Sequence, residues 1–140
     1  MTSERITSLT RARKGAAALE FAIAASLLVT LMLGCTDFGR FVYVYVVVNN
    51  SASEGATYGS LNGISKFGSL GAWQTAVANA VVGETTVQPI LAADVTVDGA
   101  AVANGLCKVT VTHQFSVLAP WPGMPPSVTL TCTAAMPLIK

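Results

Sequence analysis

The chain has 140 residues, of which 52% are apolar and only 11% charged, against a charged share of about 25% in ordinary soluble domains. That deficit points to a membrane or a polymer as the surroundings, and the length allows one domain at most. A formal charge of +1, without a clustered basic face beyond the first fifteen residues, argues against a nucleic-acid binder.

Residues 1–15 hold Arg5, Arg11, Arg13 and Lys14 against Glu4, whereas the remainder holds four cations against six acids. This segment has too few apolar residues to fold and reads as a basic leader or cytoplasmic tail, its charge keeping that end in the cytoplasm. Ala16 to Thr36 follows as an apolar span of 21 residues, close to the roughly 20 needed to cross a bilayer. Glu20 interrupts it. A carboxylate at the centre of a span costs roughly 2.5 to 3.5 kcal/mol, and less near an end, where it reaches the headgroups or takes up a proton. No second span of comparable length follows, so the rest of the chain is expected outside the cytoplasm.

The same helix is predicted to continue to about Tyr58, with Phe38, Phe41, Val42, Tyr45, Val48 and Ala52 as an apolar stripe at helical spacing. The run FVYVYVVV within it is rich in β-branched and aromatic residues and would favour a strand by propensity alone. Helix is preferred because a segment leaving the bilayer must satisfy its backbone groups, and continuing the helix does so. Helix over 16–58 would measure roughly 65 Å at 1.5 Å per residue, about twice the hydrocarbon thickness, so residues 37–58 would project from the membrane.

Gly55, Gly59 and the glycine-rich stretch Ser60 to Gly71 are expected to end that helix. A short helix is predicted over Ala72 to Val82, with Trp73, Ala76, Val77, Ala80 and Val81 on one face. Beyond Gly83 the pattern changes to period two. ADVTV leads to a turn signal at Asp98 and Gly99. Two longer strands follow: one face of the first holds Cys107, Val109, Val111, His113, Phe115 and Val117, and one face of the second holds Val128, Leu130, Cys132, Ala134 and Met136. The connector APWPGMPPS has four prolines and reads as a rigid exposed loop. The expected fold is α+β: a leader at 1–15, a long helix at 16–58, and an extracytoplasmic head at 59–140. The sheet of that head is expected to cover the projecting half of the helix, since eighty-odd residues make a marginal core alone.

Little in the sequence points to catalysis, to a cofactor or to a metal. His113 is the only histidine, and its inward strand position suits a core residue better than a triad or a metal ligand. The glycine stretches lack the spacing and the lysine of a phosphate loop. Cys35 at the outer end of the span reads as a small hydrophobe. Cys107 and Cys132 could form a disulfide outside the cytoplasm, but a simple hairpin places Cys132 opposite His113 and Cys107 some six residues away, about 20 Å. Bridging would need a shifted register.

Three readings compete for the N-terminal segment. A conventional secretory signal lacks an A-x-A-like cleavage site after its apolar core. A lipoprotein signal could end at Gly34–Cys35, with a lipidated Cys35 as anchor. The third starts from Gly15, between the basic cluster and the apolar run, in KGAAALEF.

This segment resembles the type III signal of type IV pilins, in which a prepilin peptidase cuts after the glycine. The resemblance extends to the TadE-like family of minor pilins, or pseudopilins, of the tight-adherence (Flp) pilus system. Its motifs appear here as Gly15 to Phe21, as Asp37-Phe38-Gly39-Arg40, and as Asn50 through Ser53-Glu54-Gly55-Ala56 to Tyr58. The resemblance implies cleavage between Gly15 and Ala16 and assembly or recognition roles for Glu20 and Phe21. It also implies partnership with a prepilin peptidase, other pilins and pseudopilins, an inner-membrane pilus assembly platform and the lipid bilayer. The chain would then be a single-pass protein of the bacterial inner membrane, with its N-terminus cytoplasmic. Phe38-Gly39-Arg40 has in addition a plain reading as an interfacial anchor, aromatic at the headgroups and arginine in water.

Overall fold

The computed structural model describes residues 2–84, 90–119 and 123–139. Among the described residues, two α-helices and a three-stranded antiparallel sheet make up the α+β fold, in the order α1 (Thr2–Leu61), α2 (Leu70–Glu84), β1 (Val95–Val97), β2 (Leu106–Ser116) and β3 (Ser127–Pro137). The chain divides into two compact units, Met1–Phe38 and Gly39–Lys140.

Helix α1 is longer than expected at both ends. It takes in the basic leader from Thr2 onwards. Serine, threonine, arginine and leucine are all tolerable in a helix, and a nucleus in the apolar run propagates into them at little cost. The FVYVYVVV run is helical throughout, so continuation from the span overrides strand propensity. At the other end α1 passes through Gly55 and Gly59, both expected to break it, and stops at Leu61. The backbone and side-chain amides of Asn62 both donate to the carbonyl of Tyr58, at 3.0 Å each, which satisfies the open helix end.

The second unit is built on the part of α1 after Gly39. Its buried stripe is Val44, Val48, Ser51, Ala52 and Ala56, flanked by Phe41. This corrects the expected stripe, because Phe38, Val42 and Tyr45 are exposed. The face turned inward is the one with the small residues. Gly55 and Gly59 show why: a methyl on Gly55 would overlap Val81, and one on Gly59 would overlap Cys107 and press on Val77 and Trp73, at 3.0 and 3.1 Å. Here α2 and β2 approach the backbone of α1 too closely for larger side chains.

Helix α2 begins where the hydroxyl of Ser69 caps it, accepting from the Ala72 amide at 3.2 Å. It buries Trp73, Val77 and Val81, the face read from the sequence. Trp73 also donates its ring N–H to the Asn62 carbonyl at 2.6 Å, tying α2 to the end of α1. Gln74 donates to the Val97 carbonyl on β1 at 2.9 Å.

The sheet has the order β1-β2-β3. The turn after β1 begins at Asp98, whose carboxylate accepts from the Ala100 amide, but it continues through a 3-10 turn at Ala101–Asn104 rather than closing at Gly99. Strand β2 alternates as predicted, with Cys107, Val109, Val111 and Phe115 buried. The hairpin register differs from the simple one: Cys132 pairs with Val111, and His113 pairs with Leu130. The shift is two residues, which keeps every side chain on its predicted face. Pro120, Trp121 and Pro122 of the proline connector lie outside the described residues.

Cys107 pairs with Met136, four positions along the strand from the Val111–Cys132 pair, or about 13 Å. That separation exceeds the reach of a disulfide, and all three cysteines are free thiols.

Candidate functional site

The residues singled out at the start of the span all lie on α1. Ala16 and Glu20 are one helical turn apart, so they share a face, and Phe21 follows. Gly15, Ala16 and Glu20 are exposed, and Phe21 keeps 75% of its surface uncovered. A methyl on Gly15 would meet no heavy atom within 4 Å. Packing among the described residues therefore does not require glycine at that position.

The segment that follows is equally bare. Leu19, Ile23, Leu27, Leu28, Leu31 and Met32 are all exposed. Within Gly15–Leu61 the most apolar 18-residue window has a mean hydropathy of 2.1, and none of it is buried. A helix this apolar and this exposed needs a nonaqueous partner, because a core helix of a soluble protein would be covered. Ser26, Thr30 and Thr36 return their hydroxyls to carbonyls three or four residues earlier, at 2.8 to 2.9 Å, which removes their need for water. The helix is thus long and apolar enough to act as a single-pass membrane anchor.

The Asp37–Arg40 motif is divided in its roles. Asp37 is buried, with 7% exposure, whereas Phe38 is 69% exposed. A methyl on Gly39 would find open space. Arg40 places its guanidinium 5.4 Å from the Phe115 ring centre, and Phe41 meets the same ring edge-on at 5.6 Å. Cation–π and edge-to-face contacts of this kind fix the start of the second unit against the end of β2.

The third motif, Asn50 to Tyr58, turns out to be a packing surface. Ala52 and Ala56 are fully buried, Gly55 admits Val81, and Glu54 remains outside. Sequence reasoning missed this role and took the glycines as helix ends. The available signal was the G-x-x-x-G spacing of Gly55 and Gly59, continued by Ser51, Ala52, Ala56 and Ser60 at helical intervals. The hydroxyl of Ser60 donates to the Pro137 carbonyl, and the Ile139 amide donates back to the Ser60 carbonyl at 3.2 Å.

Cys107, beside Gly59, is pushed up to about 11 by burial, and burial also raises Cys132. Both thiols remain protonated and inert near neutral pH. His113 is half-buried in mid-strand, opposite Leu130. Among the described residues no three His, Cys, Asp or Glu side chains gather as a metal site.

Residues 15–57 match the family model described as TadE-like protein. The match starts at Gly15 and covers all three motifs except Tyr58. No curated protein and no solved structure matches the chain at a significant level.

Proposed function

Proceeding from a chain that is TadE-like over residues 15–57, we propose that it is a pilin-like subunit of a tight-adherence (Flp) type IV pilus system. It would be made as a single-pass inner-membrane precursor with its basic leader in the cytoplasm, and matured by a prepilin peptidase that cuts between Gly15 and Ala16. It acts by association of helices with other pilins and pseudopilins, and with the assembly platform, rather than by catalysis.

The observation that carries this reading is the conjunction at the start of the match. An unconstrained glycine is followed by a bare apolar helix whose acid lies one turn after the new terminus. Cleavage after Gly15 would create an α-amino group on Ala16, cationic at neutral pH. The Glu20 carboxylate can pair with that group or with the same group of a neighbouring subunit. A subunit moving from lipid into a helical bundle would then exchange a poorly solvated acid for an ion pair, which gives the step a direction and a register.

Glu20→Ala tests this directly. The variant should insert into the membrane as the parent does but be recruited poorly into pilus complexes, measured by co-purification with the major pilin. Unchanged recruitment would remove Glu20 from the mechanism.

A further inference from the structure

The two edges of the sheet are built differently. Strand β1 is three residues long, is flanked by Asp94 and Asp98, and its Val97 carbonyl already accepts from Gln74 of α2 at 2.9 Å. A short strand flanked by charge is a poor template for further pairing. Strand β3 is eleven residues long and pairs one to one with β2 from Ser127 to Pro137, without a bulge. It holds no charged residue, and its one proline is the last residue. Among the described residues, no backbone hydrogen bond reaches Ser127–Met136 except from β2. In an antiparallel ladder alternate residues turn both N–H and C=O away from the partner, so about five residues of β3 direct these groups off the sheet.

The rows of side chains that cross the sheet specify what would pair there. On one face Thr96, Thr110 and Thr133 stand opposite one another, with the Thr110 and Thr133 hydroxyls 3.0 Å apart, and Thr112 stands opposite Thr131. On the other face Val95, Val111 and Cys132 form one row, and Val97, Val109 and Ala134 the next. Cover of this apolar face thins at the edge: Val109 and Val111 are fully buried, Ala134 is half-buried and Met136 is exposed. A further strand that continued these rows would carry hydroxyl residues on one side and aliphatic residues on the other.

We infer that β3 is a docking edge that accepts a fourth strand from another polypeptide, an uncharged extended segment in which hydroxyl and aliphatic residues alternate. Backbone hydrogen bonds supply the attraction, and the threonine and apolar rows select the segment. Since the edge is uncharged, the association should be insensitive to salt. This contact is made by strands, is separate from the helix association proposed above, and does not depend on cleavage at Gly15.

The test is residue-by-residue amide hydrogen exchange, read by NMR on the dilute full chain in detergent micelles. Alternate amides between Ser127 and Met136 should exchange several-fold faster than those bonded to β2. A synthetic peptide of alternating threonine and valine, with a charged tail for solubility, should slow those amides several-fold at low and high salt alike. The same peptide with a central proline should not. Ala134→Lys sets a charge on the inward side of the edge and should remove this protection while the amides bonded to β2 stay slow; Met136→Lys makes the same test at a more exposed position. Gln114→Lys, on the central strand and the threonine face, should bind the peptide as the parent does. Outward amides that the peptide leaves fast would overturn the inference, as would equal losses in Ala134→Lys and Gln114→Lys, which would put the peptide on the face. Outward amides already slow without peptide would also overturn it, assigning the edge to the chain itself if dilution has no effect and to a second copy if dilution frees them.

Discussion

At the scale of single residues, the space around three glycines of α1 separates one from the other two. Gly59 is a packing glycine, since a methyl there overlaps Cys107 and crowds Trp73. Gly59→Ala should destabilise the second unit by about 1 to 2 kcal/mol, the overpacking penalty less the helix propensity gained, as read from chemical denaturation in detergent. Gly39 and Gly15 have open space. Gly15→Ala should leave helix content unchanged while blocking maturation, read as a shift in mass; a variant that matures normally would show that the peptidase does not require the glycine. Cys107 gives a pH prediction. Its thiol titrates near 11 in the folded chain against an ordinary value of 9.0, so the folded state holds the proton more tightly. Stability from this group is complete below pH 9 and is lost as pH rises from about 9 to 11, by about 2 to 3 kcal/mol. Cys107→Ala should lose that part of the alkaline slope, whatever the cavity costs at neutral pH.

At the scale of elements, the strands were legible because their alternation is strict: Cys107, Val109, Val111 and Phe115 are buried as read. The register was not legible, because a connector with four prolines does not fix how many residues it leaves unpaired, and a two-residue shift costs nothing in facing. The inner face of α1 was misread for a related reason. Hydrophobicity favoured Phe38, Val42 and Tyr45, whereas close approach favoured Val44, Ser51, Gly55 and Gly59, and close approach decides where the sheet docks. The junction of α1 with β2 is held by the Phe41–Phe115 pair. A double-mutant cycle with Phe41→Leu and Phe115→Leu should return a coupling of about 0.5 to 1.5 kcal/mol, and a value near zero would make the contact incidental.

At the scale of the whole molecule, the α+β class and the apolar anchor could be read from charge placement and periodicity alone. The candidate site could be read only in part. Gly15 and Glu20 stand out in the sequence because each breaks a local rule, a glycine between the basic cluster and the apolar run and an acid within that run, whereas Phe21 is marked only by the resemblance. The packing role of Asn50 to Tyr58 depends on contacts from residues far along the chain, such as Val81 and Val109 against Gly55, which spacing does not reveal. The proposal that joins these parts is that the chain becomes an assembly-competent subunit when the leader is removed and Ala16 gains a charge next to Glu20. The measurement that tests it most directly is the intact mass of the mature protein, purified from membranes of cells that make a prepilin peptidase. The expected mature chain begins at Ala16; a chain still beginning at Met1, or one beginning at a lipidated Cys35, would overturn the proposal.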